Sequence, residues 1–304
     1  MKAIVTGATG FIGTVLCEEL LRVGYEVAAV IRPESEKKEK LDLAAAAAGR
    51  LSIVELQLER LAELPGHVGN ADTFFHLAWN GSSGRAREDF ETQYSNIRYT
   101  AMAIRAAKKC GCRKFVGAGS QAEYGVVQGT AEEDRTLPNP FMMYGAAKLS
   151  AYQMGRLVAG QEDLSFVWPR IYSVYGVGEN PGTLVNYVMD TLKKGEIPEL
   201  SPCENTWNFL YVTDCARALR MLAECEDARG VFHVASKDTR PLKEYVTELR
   251  DLIAPGAELR FGAKQADPRR TFRLQPDTAK LEGIGFRAEV SFAEGIRRKM
   301  EETK

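Results

Sequence analysis

Tyr144 and Lys148, in Tyr144-Gly-Ala-Ala-Lys148, stand four residues apart, one helical turn from each other on the same face. A phenol with a reference pKa near ~10 is a poor proton donor or acceptor at neutral pH. An ammonium beside it favours the phenolate and brings the group towards the working range of a general acid–base. Ser120, in Gly119-Ser120-Gln121-Ala122-Glu123-Tyr124-Gly125, follows a strand and would hydrogen-bond the same substrate oxygen. Three such groups suit hydride transfer at a carbonyl or carbinol, where an oxygen gains or loses a proton as hydride moves. A lone Tyr-x-x-x-Lys spacing describes a surface pair equally well, so its weight depends on what accompanies it.

A hydride carrier has its own signature. Thr6-Gly7-Ala8-Thr9-Gly10-Phe11-Ile12-Gly13 follows a strand-like run and opens a helical one, the context a phosphate loop requires. Glycines let the backbone turn tightly and approach a pyrophosphate, and the helix N-terminus supplies N–H donors. The spacing is G-x-x-G-x-x-G rather than the G-x-G-x-x-G of the common dehydrogenase fingerprint. At the end of the second strand an acid would accept from both ribose hydroxyls and select NAD, whereas an arginine accommodates a 2′-phosphate. The residue there is Arg32, with Ser35, Lys37 and Lys38 close behind. NADP(H) is therefore expected, with NAD(H) as the alternative should Arg32 and the lysines only form a solvated face.

The elements that position these groups follow from the hydrophobic pattern. Short β-branched runs at 3–6, 26–31, 51–56, 73–77, 114–118 and 166–170 alternate with helical patterns at 11–23, from Pro33, at 91–110 and at 144–159. That rhythm predicts βαβ units and an α/β, doubly wound parallel sheet, a dinucleotide-binding Rossmann fold. After about Tyr172 the segments 177–182 and 198–205 are rich in Gly, Pro and polar residues and read as loops around a ligand cleft. Runs at 209–212 and 231–234 read as strands returning to the sheet. The expected division is a dinucleotide-binding domain of residues 1–171 and 209–236, and a smaller interleaved C-terminal substrate lobe of 172–208 and 237–304.

Composition removes other classes. Among 304 residues, 40 basic side chains nearly cancel 41 acidic ones, so no global field favours nucleic acid or an anionic membrane. No apolar run approaches the roughly 20 residues that span a bilayer, and the chain enters a strand at once, which predicts a cytoplasmic protein. The six cysteines, at 17, 110, 112, 203, 215 and 225, have no companion histidines at zinc spacing, so neither a metal site nor a disulfide framework is expected.

With these motifs in place, the chain resembles an extended short-chain dehydrogenase/reductase of the NAD-dependent epimerase/dehydratase family, whose members modify nucleotide sugars. Besides the glycine loop and Tyr144-Gly-Ala-Ala-Lys148, the likeness rests on His76-Leu77-Ala78-Trp79, Asn96-Ile-Arg-Tyr-Thr100, Arg170-Ile-Tyr-Ser-Val-Tyr-Gly176, Asn208-Phe-Leu-Tyr-Val-Thr-Asp214 and Asp277-Thr-Ala-Lys280. The resemblance implies that Tyr144 is the acid–base, that Lys148 tunes it and binds the nicotinamide ribose, that Ser120 polarises the substrate oxygen and that Asn96 supports them. It implies cofactor contacts from Gly7, Thr9, Gly10, Phe11, Ile12, Gly13, Arg32, Leu77 and Ala78. Trp79, Gln121, Ser173 and Trp207 would meet the substrate, and Arg269, Arg270 or Arg273 its diphosphate. A homodimer through helices 91–110 and 144–159 is the family expectation.

Departures narrow the activity. Similar 4,6-dehydratases carry an Asp-Glu pair just after the catalytic Ser/Thr, where this chain has Gln121 and Ala122. Ser173 stands where many members have Asn, and Trp207-Asn208 replaces a usual Arg-Asp. The leading expectation is an NADPH-dependent 4-ketoreductase of a nucleotide-activated deoxysugar. A 4-epimerase on tightly bound NAD is the alternative. A non-sugar carbonyl reductase, for which Trp79, Trp207 and Tyr211 would provide aromatic surface, and a non-catalytic NADP(H)-responsive regulator complete the set.

Overall fold

The structure, a computed structural model, describes residues 1–33, 35, 36, 38, 39, 41, 49–265 and 273–302, with the backbone alone at Arg273, Leu274 and Glu302. Most of the helix expected after Pro33 falls outside the described residues. The chain divides into two compact units, one of residues 1–125, 137–171 and 216–234, the other of 126–136, 172–215 and 235–304.

The first unit is built on a sheet of β1 (Lys2–Thr6), β2 (Glu26–Ile31), β3 (Leu51–Glu55), β4 (Thr73–His76), β5 (Lys114–Gly117), β6 (Gly119–Ser120), β8 (Ser165–Ile171) and β12 (Gly230–Val234). Its order is β12-β8-β5-β4-β1-β2-β3, with β6 alongside β8, and every pairing is parallel. Ala3, Ile4 and Val5 and the run Val27–Ile31 are buried throughout. Such continuous apolar strands are what a parallel sheet covered on both faces needs. Across β4, β5 and β8 the registered residues Phe74, Phe115 and Phe166 stack at 5.6 and 5.8 Å between centroids, and Trp168 extends the row at 5.7 Å.

The helices of this unit are α1 (Phe11–Arg22), the short α2 (Leu64–Val68), α3 (Phe90–Lys109) and α4 (Met143–Gln161). Asp89 caps α3 by accepting from the Thr92 amide at 2.9 Å, which satisfies one of the free N–H groups of its first turn. The strand order reverses between β1 and β4. Open α/β sheets hold ligands beyond the C-terminal ends of the strands at such a reversal, and the glycine loop after β1 and the His76–Trp79 segment after β4 both lie there.

The second unit holds β7 (Gln128–Ala131), β9 (Ser173–Tyr175), β11 (Thr206–Tyr211), β13 (Thr239–Pro241) and β15 (Arg273–Pro276) in one sheet, and β10 (Glu199–Leu200) with β14 (Arg260–Phe261) in another. Its helices are α5 (Leu184–Lys193), α7 (Leu242–Ile253), α8 (Ala279–Gly283) and α9 (Phe292–Glu302), while α6 (Val212–Glu224) begins in this unit and continues into the first. Two expectations are corrected. The strand at 209–212 does not return to the large sheet: β11 pairs with β9 and β15 in parallel and with β13 antiparallel. Residues 126–136 also leave the first unit, because β7 finds its partner in β15. Local pattern announces a strand but not the distant segment that pairs with it.

Candidate active site

Tyr144 is the second residue of α4, and the side chain of Ser120, where β6 ends, hydrogen-bonds its phenol. Burial raises the Tyr144 pKa above its ordinary value; the Ser120 hydrogen bond and the Arg87 cation act downward, and Glu123 upward. One turn along α4, Lys148 is buried and donates to the Ala118 carbonyl at 2.6 Å. Its ammonium lies 3.5 Å from the centre of the Trp79 ring and 5.8 Å from that of Tyr144. Burial lowers its pKa to about 7, against the opposing attraction of Glu123. Ser120, Tyr144 and Lys148 are thus brought together at the end of β6 and the start of α4.

Beneath them lies a buried ionic network. Ser120 starts a short 3-10 turn at Gln121–Glu123, and this turn swings Glu123 into the core. The Glu123 carboxylate accepts from the Ser120 amide at 2.8 Å, the Trp168 indole at 2.9 Å and the Arg170 Nε at 2.8 Å. Arg170 also stacks on Tyr124, whose hydroxyl meets His233 Nε2 at 2.5 Å. Each partner lies deep in the unit, so the pair is fully desolvated and holds only because the geometry is good.

Asn96 is buried in α3, and its side chain is engaged by backbone groups. Its Oδ1 accepts from the Asn80 amide, and its Nδ2 donates to the Asn80 and Thr92 carbonyls, all at 2.9 Å. It therefore fixes the backbone just beyond Trp79. The Trp79 indole donates to Gln93 at 2.9 Å, and its ring meets Tyr144 edge-on at 6.1 Å.

The glycine loop turns through Gly7, at φ +72, with the Gly10 amide donating to the Gly7 carbonyl at 2.9 Å. A Cβ on Gly7 would stand 2.7 Å from the Ala78 nitrogen, and one on Gly13 only 2.1 Å from the Gly7 carbonyl oxygen. The loop is thus pressed between the start of α1 and the backbone of Leu77–Ala78. Gly10 caps α1 without a side-chain hydrogen bond, so no side chain competes for the amides of Phe11, Ile12 and Gly13, which Thr9 and Gly10 precede. Beyond the ends of β2, β3 and β4 a cavity of about 700 Å³ is lined by Arg32, Ser35, Gln57, Leu58, Asn80 and Gly81, among others.

Residues 3–235 match the NAD dependent epimerase/dehydratase family. The chain belongs to it. An uncharacterized UDP-glucose epimerase of Bacillus subtilis is 25% identical over 90% of this chain and 89% of its own length. A dTDP-6-deoxy-L-talose 4-dehydrogenase (NAD(+)) of Aggregatibacter actinomycetemcomitans is 25% identical over 82% of this chain and 89% of its own. Among solved structures, MoeE5 in complex with UDP-glucuronic acid and NAD superposes with a TM-score of 0.84 at 27% identity, over 100% of this chain and 99% of that one.

An epimerase/dehydratase family member requires a nicotinamide dinucleotide, and the residues present fit one. An uncapped helix N-terminus behind a loop with no room for side chains suits a pyrophosphate, and the cavity beyond β2, β3 and β4 offers hydroxyl, amide and guanidinium groups to an adenosine. Arg32 is exposed on its rim. Lys38 is engaged elsewhere, in an ion pair with Glu55 at 2.6 Å, and Lys37 lies outside the described residues.

Gln121 follows Ser120 in the 3-10 turn. In the second unit Ser173 begins β9 and registers with Phe209 of β11, two residues after Trp207. Arg269 and Arg270 lie outside the described residues, as does the side chain of Arg273. Gln57, whose only signal is its place after β3, and Arg87 belong to no motif of the sequence. The 3-10 turn carries Glu123 into the core, and its pairing with Arg170, 47 residues on, has no local signal in the sequence.

Proposed function

We propose that this protein is an NADPH-dependent 4-ketoreductase of a nucleotide-activated deoxysugar. In the direction of reduction, the Tyr144 hydroxyl passes its proton to the carbonyl oxygen as that oxygen takes on negative charge. The Ser120 hydroxyl hydrogen-bonds the same oxygen and holds it against the phenol. The Lys148 ammonium, one helical turn away, stabilises the phenolate as it forms. A nicotinamide dinucleotide, when bound, supplies the hydride. Gln121 and Ala122 offer no carboxylate for elimination of water, and Glu123 is committed to Arg170, which supports reduction over dehydration. The relative named as a 4-dehydrogenase supports redox chemistry at the same sugar carbon.

The observation that carries the choice of cofactor is Arg32 in the lining of the cavity beyond β2, β3 and β4, where its fork would match a 2′-phosphate. A 4-epimerase on NAD is the second reading, favoured by the relative named as an epimerase and by the NAD of MoeE5. Calorimetric titration of the cofactor-stripped protein with NADPH and NADH separates the two. The reductase reading expects NADPH to bind about tenfold more tightly, and Arg32→Ala to abolish the difference. It also expects net NADPH oxidation with a dTDP-4-keto-6-deoxysugar. Tighter NADH binding, with sugar interconversion and no net cofactor consumption, would make the protein an epimerase.

The proposal includes a homodimer through α3 and α4. Phe90 and Tyr94 on α3 are 56% and 58% exposed, and Met154 and Leu157 on α4 are 55% and 58% exposed, an apolar surface that a second copy would cover. A sedimentation-equilibrium mass equal to one chain would refute it.

A further inference from the structure

Arg87 enters from the short 3-10 turn Gly84–Glu88 and lays its guanidinium over the Tyr144 ring, with Cζ 4.3 Å from the centroid. Its Nη2 meets the Met142 thioether at 3.3 Å, and its Nε is buried without a hydrogen-bond partner. Among the described residues it forms no ion pair. Its neighbour Glu88 accepts from the Met143 amide at 3.2 Å instead. A half-buried cation is ordinarily matched by a carboxylate, because desolvating it alone is costly. Here the guanidinium faces an aromatic ring and a thioether. The Tyr144 phenol is the one group in this set whose charge can change.

We propose that Arg87 is a positioning residue for proton transfer at Tyr144, its permanent charge favouring the phenolate and its stacked fork holding the ring towards Ser120. The inference rests on the reading of Tyr144 as the acid–base. The groups that bear on this phenol come from several elements. Arg87 faces it from the 84–88 turn, Lys148 from the next turn of α4, Ser120 from the end of β6 and Glu123 from behind Ser120. Glu88 borders the first turn of α4. Of the two cations, Lys148 is buried and loses its charge near neutrality, its pKa falling to about 7. A guanidinium stays charged throughout the working range. The two cations therefore divide the work: Lys148 responds to pH, and Arg87 supplies the constant part of the field.

The test replaces Tyr144 with difluorotyrosine, whose more acidic phenol titrates where the protein is folded, and follows its fluorine resonance against pH. Arg87→Met is expected to raise the midpoint by about one pH unit or more, as loss of a cation within ~4–6 Å implies. Arg87→Lys, which keeps the charge, is expected to restore most of that shift. A folded Arg87→Met protein with an unchanged midpoint overturns the proposal. If that variant does not fold, Arg87→Gln against Arg87→Lys makes the same comparison, and equal midpoints overturn it. Activity of Tyr144→Phe is a separate readout: its survival would remove the acid–base reading, while the fluorine titration still decides whether Arg87 acts on the phenol.

Discussion

The glycine loop and the Ser–Tyr–Lys face lie at the C-terminal edge of one sheet and are built on opposite principles. The loop is shaped by the absence of side chains. Gly7 and Gly13 leave no room for a Cβ, and the groups that suit a phosphate are backbone amides. The catalytic face consists of side chains held in place from below, with Glu123 gripping the Ser120 amide, Trp168 and Arg170 at once. Steric exclusion is tolerant of pH and intolerant of added atoms. A desolvated charge network tolerates changes of bulk at its margins but not the loss of a charge.

That contrast is sharpest when the chemistry is removed and the scaffold kept. Tyr144→Phe is expected to lower turnover by roughly 10²–10⁴-fold, with cofactor affinity changed by less than about threefold. Parallel loss of affinity would mean that the two regions are not separable. Glu123→Ala strands the Arg170 guanidinium in the core and should lower stability by ~3–5 kcal/mol in urea unfolding. A loss below ~1 kcal/mol would show that the network is dispensable.

On the loop side, Gly13→Ala forces its Cβ against the Gly7 carbonyl. NAD(P)H affinity should fall by roughly 10–100-fold, at 1.4 kcal/mol per factor of ten, with the fluorine titration of difluorotyrosine at position 144 in the ligand-free protein unchanged. The smallest effect concerns His76, buried at the end of β4 and hydrogen-bonded to Thr6 at 2.8 Å. Burial, aided by Lys148, pushes its pKa down to about 3 from 6.5. As pH falls, the unfolded chain takes up this proton first, so stability declines between about 6.5 and 3. From pH 6.5 to 5 the wild type should lose up to about 1.4 kcal/mol per pH unit more than His76→Asn; identical slopes would assign the acid sensitivity to other groups.

Much of this molecule is legible where a residue's role is set by its immediate neighbours in sequence. Gly7, Gly10 and Gly13 announce a phosphate loop because a strand precedes them and a helix follows. Tyr144 and Lys148 announce themselves because helical geometry alone brings them to one face. The strands of the large sheet follow from their continuous apolar runs. What escapes is decided by partners far away. Glu123 looks like one more polar residue of a strand until Arg170 and Trp168 are seen to claim it. Arg87 sits in a loop whose path depends on Asn96 and Gln93. β11 reads as a strand of the large sheet because nothing in Thr206–Tyr211 names β9, β13 and β15 as its partners.

The path of that loop has a consequence of its own. Asn96 grips both the amide and the carbonyl of Asn80, Gln93 donates to the Gly81 and Ala86 carbonyls at 2.9 and 2.8 Å, and Asp89 closes the segment as the cap of α3. The stretch 82–88 is thus a bracketed insert, anchored at each end by one helix. What stands over the Tyr144 ring is thereby tied to α3: a change at Gln93 or Asn96 reaches the Arg87 guanidinium through the backbone of this stretch, without touching Tyr144 itself.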